Sequence, residues 1–307
     1  MNRSRLLRAA VLVVVVVLGV ATVVSTGGHV VDHLDELNAP ELVGSLLAAL
    51  AGLLGTLMCW RAVLADLGSV LPLSAAMRVF FLGQLGKYVP GSVWPVLAQM
   101  ELGRRHGVPR NRSATVGLVT VALSLVAGLL VAAVTLPFTS AQALSTYWYA
   151  FLAVPLLGLG LLPAVANRVL DRLLALSRRG GLERPLTGRG MLLALGWSVF
   201  VWLMFGVHVY LLADALGASG AGALPLCTGA YALSWTLGFL VVIAPAGAGV
   251  REAALVLTLS PLLDRPQALL VALLSRAIMT VADLLLAGAA VLRTRRTEAA
   301  EPQAAAP

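Results

Sequence analysis

Six charged side chains lie in stretches otherwise apolar enough for a membrane interior: Arg61, Lys87, Arg251, Glu252, Arg276 and Asp283. Lys87 is the only lysine, because the other 21 of the 22 basic residues are arginine. A charge held at membrane depth is costly, and such residues mark substrate or ion paths by default. Two of the cations stand beside backbone breaks. Lys87 precedes Pro90, Gly91 and Pro95, and Arg251 follows Pro245, Gly247 and Gly249. A break leaves backbone N–H groups unpaired, and a helix N-terminus adds a partial positive charge. Lys87 and Arg251 add full charges, and an arginine can hold a phosphate at two points. Gln84, Tyr88, Ser92 and Trp94 are spaced to orient a polar headgroup. The chemistry to expect is reception of an anionic headgroup, with no bond made or broken.

Arg276 and Asp283 are two helical turns apart on one face. They are too far apart to pair with each other, so one of them is expected to neutralise Lys87, Arg251 or Glu252 on another helix. The competing reading is an ion-pair network that only fixes helix packing. The clustering of cations on the two broken segments favours a site. Arg61 lies near the end of its apolar run and is expected to snorkel to the interface.

The elements that must hold these residues are membrane helices. The chain has 307 residues, is 59% hydrophobic and only 12% charged, with a mean hydropathy of +0.92. A soluble domain carries about 25% charged residues. Apolar runs of about 20 residues cross a hydrocarbon core about 30 Å thick, and no alternating β-barrel pattern occurs. The fold class is an all-α polytopic membrane protein with about eight spans. They are read near 6–26, 42–64, 114–136, 148–166, 191–213, 223–244, 248–263 (a short one) and 268–292. The first run exceeds the apolar core of a signal peptide and has no clear cleavage site, so it reads as a retained helix.

Charge sets the orientation. The N-tail, the loop around Arg104–Arg112, the central loop from Arg168 to Arg189 and the C-tail hold 16 of the 22 basic residues. They are therefore expected to be cytoplasmic, with both termini inside. Parity then requires the Lys87 segment, about 78–100, to enter and leave from one side as a re-entrant helical hairpin. Irregular backbone at that depth survives only where protein or a wet cavity covers it. Parity also asks the Gly/Pro-broken segment at about 245–263 to supply a crossing. Two interrupted apolar segments, one per half, point to a substrate site. Residues 1–293 read as one transmembrane domain and 294–307 as a short disordered cytoplasmic tail.

Other candidates are weaker. Cys59 and Cys227 lie in apolar helices, too few for a disulfide framework. His29 and His33 flank Asp32 in a solvated loop without further ligands, so no metal is expected. His208 reads as a packed polar residue more than a proton relay. The six tryptophans suit interfaces and cores. The net charge of +8 is explained by orientation. No stacking platform or zinc finger is present, so nucleic acid is not an expected partner.

At the two breaks the sequence resembles a known family. Gly86-Lys87-Tyr88-Val89-Pro90-Gly91-Ser92-Val93-Trp94 looks like its G-[KR]-Y-x-P-G-x-[IV]-W signature. Pro245-Ala246-Gly247-Ala248-Gly249-Val250-Arg251-Glu252 looks like its P-x-G-x-G-x-R-E signature. This is the lysylphosphatidylglycerol synthase transmembrane-region family, also called the flippase-like domain. The resemblance covers nearly the whole chain and implies a helical bundle with re-entrant segments. In the multiple peptide resistance factors it implies translocation of aminoacylated phospholipid. It marks Lys87, Tyr88, Pro90, Gly91, Trp94, Gly247, Gly249, Arg251 and Glu252 as motif positions; Gln84, Arg276 and Asp283 are supporting groups on the reading of their own positions. Family synthases continue into an aminoacyl-transferase domain, which is not expected here.

The leading expectation is translocation of an anionic, aminoacylated or glycosylated lipid, or of a polyprenyl-linked intermediate, across a bacterial inner membrane. No cofactor is expected, and no G-x-x-x-x-G-K-[ST] loop for ATP occurs. Partners to expect are membrane lipids and a neighbouring glycosyltransferase or aminoacyl transferase. The alternatives are an integral-membrane enzyme, against which no D-x-D pair is found, and an accessory partner of a synthase.

Overall fold

Among the described residues the long apolar runs are helical, because a bilayer leaves the backbone no hydrogen-bond partner but itself. The computed structural model describes residues 38–88, 93–139, 150–176, 184–240 and 249–300. Its helices are α1 (Ala39–Asp66), α2 (Leu73–Gln84), α3 (Trp94–Arg104), α4 (Arg110–Thr135), α5 (Ala150–Gly160), α6 (Pro163–Leu176), α7 (Gly188–Asp214), α8 (Ala223–Leu240), α9 (Val250–Leu259) and α10 (Arg265–Ala300). No strand occurs among the described residues. The chain is a multi-pass membrane protein.

Five of these helices are long and apolar enough to cross a membrane: α1, α4, α7, α8 and α10. A sixth crossing arises if α5 and α6 act as one broken span. The count of about eight is not reached among the described residues, and the first expected span lies outside them. So do His29 and His33, motif residues Val89 to Ser92, and Pro245 to Ala248.

The α1–α7 pair is the spine. The two helices run antiparallel, and glycines let them close. A Cβ at Gly52 would meet the Phe205 ring at 2.4 Å, and one at Gly55 would meet Val201 at 2.8 Å. Small residues do this work in membranes, where no hydrophobic drive separates helix from lipid. One end of the seam is tied by Asp66, which accepts from Thr187 Oγ1 at 2.6 Å and Thr187 N at 2.7 Å. The Thr187 hydroxyl in turn accepts from Gly190 N and caps α7.

That same end fixes the hairpin. Arg112, in the first turn of α4, donates to Gly68 O at 3.2 Å and Ser69 Oγ at 2.7 Å, just past the end of α1. The chain between these points therefore leaves and returns at one face of the bundle. Its limbs are α2 and α3, of 12 and 11 residues, about 18 and 16 Å long, too short to cross. The sequence reading of 78–100 as a same-side hairpin holds, with limbs that reach farther on each side.

Two expected spans differ from their reading. Residues 148–166 do not form one straight helix, because the chain bends by 63° between Val154–Gly160 and Pro163–Arg172. Pro163 starts a new helix, as proline suits a first turn and blocks an interior. Within 245–263, the described residues begin at Gly249, and their helix is α9, ten residues or about 15 Å, half a hydrocarbon core. Its last turn lies next to the start of α10, which is capped by Asp264 accepting from Gln267 N at 2.9 Å. Gln267 Nε2 also donates to Leu216 O at 3.1 Å, in the α7–α8 loop. So α9 ends at the face opposite the hairpin's base, and its first residues lie near mid-depth.

Candidate functional site

Both broken tips end on one face of α10. Arg276, Thr280 and Asp283 form that face, spaced at four and three residues. The hairpin arrives from one side of the bundle. Its last helical turn, Leu85–Tyr88, is a tight 3-10 turn that presents Lys87 and Tyr88 to Asp283. Lys87 Nζ lies 2.6 Å from Asp283 Oδ2, and the Tyr88 hydroxyl donates to the same oxygen at 2.6 Å. Asp283 is only 3% exposed and Lys87 29%, so the carboxylate is the buried member that most needs this partner.

Gly86 is required by the turn's proximity to α3. A Cβ there would lie 2.8 Å from the carbonyl carbon of Trp94 and 2.9 Å from Pro95 N. Trp94 begins α3, with Pro95 in its first turn. The first signature is thereby explained in part as packing: its Gly86 lets the turn lie against the start of α3.

The second tip arrives from the other side. Gly249 adopts φ +87°, with nothing near its missing Cβ, so glycine serves backbone conformation here rather than space. Glu252 Oε2 accepts from Gly249 N at 2.6 Å and closes the first turn of α9. The other oxygen of Glu252 accepts from Arg276 Nη1 in an ion pair. Arg251 points elsewhere. It donates to the Tyr231 hydroxyl on α8, with its guanidinium 4.7 Å from the centre of the Tyr231 ring.

The expected partners of Arg276 and Asp283 are therefore Glu252 and Lys87, one per tip. Among the described residues no carboxylate pairs with Arg251. The polar groups thus sum to three cations and two anions, and the one without an anion is on the second signature. Gln84 lies in the same wall, and Gln99 holds Trp60 Nε1 at 3.1 Å.

Between the tips lies a cavity of about 250 Å³. Lys87, Tyr88, Arg251, Arg276, Thr280 and Asp283 give it a polar wall. The facing wall is aromatic. Trp202 meets Trp235 edge to face at 5.4 Å, and Trp235 stacks on Phe239 at 5.5 Å. Such a cavity suits an amphiphile: one part carries charge, and the other avoids water.

The remaining described candidates, Trp94 among them, fall outside the cavity lining; Pro90, Gly91 and Gly247 lie outside the described residues. Arg61 donates to Leu71 O at 3.1 Å and binds loop backbone. Cys59 and Cys227 are buried free thiols. Sequence reasoning missed Tyr231, Thr280 and Gln99. Thr280 was readable, since it falls between Arg276 and Asp283 on the same helical face. Tyr231 carried no signal, being one tyrosine on an apolar helix.

A comparison with curated proteins finds no match. Residues 7–287 match the family described as lysylphosphatidylglycerol synthase TM region, and the chain belongs to that family.

Proposed function

We propose that this protein moves a lipid with an anionic headgroup between the leaflets of a bacterial inner membrane, with both termini cytoplasmic. Family membership supports a role in membrane lipid modification or flipping. The observation that carries the finer reading is the charge balance of the cavity. Lys87 is matched by Asp283 and Arg276 by Glu252, whereas Arg251 rests on a neutral phenol. A cavity in which the described residues leave one cation unmatched receives an anion at lower cost than it receives a neutral or cationic group. The phosphodiester of a phospholipid, or the phosphate of a lipid-linked intermediate, has the complementary charge.

The route follows from the same geometry. The headgroup enters beside the polar wall, while its tails stay against apolar surface. Short half-depth elements on opposite sides of the bundle, α2–α3 and α9, are the parts whose tilting opens one side and closes the other. Each tip is tied to α10 by a side-chain ion pair. No bond is made or broken in the lipid. A neighbouring transferase would supply or consume it.

The test is translocation of fluorescent phosphatidylglycerol in vesicles of phosphatidylethanolamine and phosphatidylglycerol containing the purified protein. Arg251→Gln should slow it at least tenfold while the protein inserts and unfolds as the parent does. Unchanged translocation in that variant would overturn the assignment of the anion to Arg251.

A further inference from the structure

The charged wall serves one part of a headgroup, and a neutral amide serves another. Gln99 of α3 lines the cavity, yet it is only 3% exposed. Its side chain crosses Gly83 of α2, where a Cβ would lie 2.5 Å from Gln99 Cγ. Past that crossing, Gln99 Oε1 accepts from Trp60 Nε1 of α1 at 3.1 Å. The Trp60 ring is buried in turn and packs on Phe80 of α2 at 5.7 Å. Three helices thus fix one side chain that belongs to neither signature.

The sense of the amide follows from its partner. An indole nitrogen only donates, so the oxygen of Gln99 faces Trp60 and the NH2 group takes the other branch, with two protons to give. Among the described residues that group meets no acceptor. It is not sealed in either, since the buried polar side-chain atoms without partners there are Glu41 Oε2, Arg112 Nε and Ser113 Oγ. Its open side is the cavity. A donor at so low an exposure is costly to leave unserved, so the amide calls for an acceptor brought in by a ligand.

The neighbouring hydroxyls offer the opposite polarity. Thr56 stands one turn before Trp60 on the same face of α1 and gives its proton to Leu53 O at 2.6 Å. Thr120 of α4 gives its proton to Val116 O at 2.8 Å. Both line the cavity, and both oxygens are left to accept. An amide donor with hydroxyl acceptors complements a group that both takes and gives a proton, which is a hydroxyl. An ammonium only donates and would meet the amide with like polarity. Gln99 is five residues into α3 from Trp94, about 7.5 Å from the tip toward the hairpin base. A phosphate at the charged wall leaves the uncharged end of its headgroup to extend that way.

We infer that Gln99 is a specificity-determining residue whose amide, held in one sense by Trp60, donates to a hydroxyl of the headgroup. The cavity then selects an anionic lipid bearing a polyol, glycerol or a sugar ring, over one of equal charge without hydroxyls. This rests on the proposed function for the place of the phosphate, while the amide and its polarity stand apart from it.

The test is native mass spectrometry of the full-length protein in detergent with phosphatidylglycerol, phosphatidylinositol or phosphatidylpropanol. All three carry one negative charge, and the last has no headgroup hydroxyl. The parent should bind at least one polyol lipid about tenfold more tightly than phosphatidylpropanol, and the tighter of the two assigns glycerol or ring. In Gln99→Met that ratio should fall to near unity. Trp60→Phe, which frees the amide to turn over, should give a value between the two. Both lipids report on the same folded molecules, so lost stability does not move the ratio. A parent without preference, or a ratio unchanged in Gln99→Met, overturns the role of Gln99, and binding of no lipid overturns it together with the headgroup site. The vesicle assay separates the two readings. Preference in binding without translocation keeps Gln99 and removes the flipping reading, and equal binding with translocation intact does the reverse.

Discussion

Replacing Asp283 by Asn tests how the hairpin is held. The change keeps shape and an acceptor for Tyr88 but removes the anion in contact with Lys87 among the described residues. At an effective dielectric of about 20, unit charges about 3 Å apart attract by about 5 kcal/mol. Desolvating both groups, and the 29% exposure of Lys87, offset more than half of that. The coupling should therefore be about 2 kcal/mol. The assay is a double-mutant cycle over the parent, Asp283→Asn, Lys87→Met and the double variant, read by equilibrium unfolding in mixed micelles. Each single change should cost about 2–3 kcal/mol, because each leaves one charge stranded. The double should cost no more than the worse single. Translocation should follow the same order, since the double variant removes one cation and one anion and leaves the cavity charge unchanged. Additive costs, with a coupling under about 0.5 kcal/mol, would refute the pairing as the hairpin's tether.

Three further outcomes follow from the packing and the charges. A Cβ at Gly206 would lie 2.0 Å from Thr228 Oγ1 and 2.9 Å from Thr228 Cα. Gly206→Ala should thus separate α7 from α8 and destabilise by about 1–3 kcal/mol, and an unchanged unfolding midpoint would contradict that contact. Gly249→Ala meets no atom but strains φ +87°. It should cost about 1–3 kcal/mol and slow translocation by loosening the first turn of α9, with full activity as the contrary result. At the exposed base of the hairpin, Arg110 and then Arg104 hold the Glu101 carboxyl down to about 2. A depressed value means these ion pairs are intact above 4.5, the ordinary value, and are lost only as pH falls through the folded one. Carboxyl carbon NMR should therefore show no Glu101 transition near 4.5, and Arg110→Ala should raise its midpoint; an ordinary midpoint in the parent would contradict the pairing.

The sequence carried the hairpin and the role of α10 because both follow from strong constraints. Arginine bias fixed which loops share a side, and the contact of Arg112 with Gly68 and Ser69 bears out that pairing of ends. The spacing of Arg276 and Asp283 forced their partners onto other helices. Which partner each took was not legible, because charge alone allows Asp283 to meet either Lys87 or Arg251. The answer depends on tip depth: α9 reaches α10 near Arg276, and the hairpin reaches it near Asp283, two turns farther along. The break at Pro163 was hidden by averaging, since a run of Leu, Gly and Ala stays apolar across a 63° bend. Tyr231 was not legible for a different reason: it is a lone tyrosine on an apolar helix, and only packing brings it against Arg251.

The meeting of the two tips on one helix has a physical cause that the separate motifs do not express. A half-depth helix brings unpaired backbone and a charge to a place without water, so it must find its counter-charge inside the protein. Two such elements entering from opposite faces could each have had a separate partner, and the result would be two inert ion pairs. Here they share α10, with Thr280 between their attachment points, and the interval between the tips becomes a cavity with a polar wall. Matching Arg251 with a carboxylate would have neutralised that wall completely. Seating it on Tyr231 instead keeps the fold satisfied through hydrogen bonds while leaving one charge unmatched. A substitution placing a carboxylate at position 231 should therefore stabilise Arg251 locally and abolish anionic lipid transfer, separating stability from function at a single side chain.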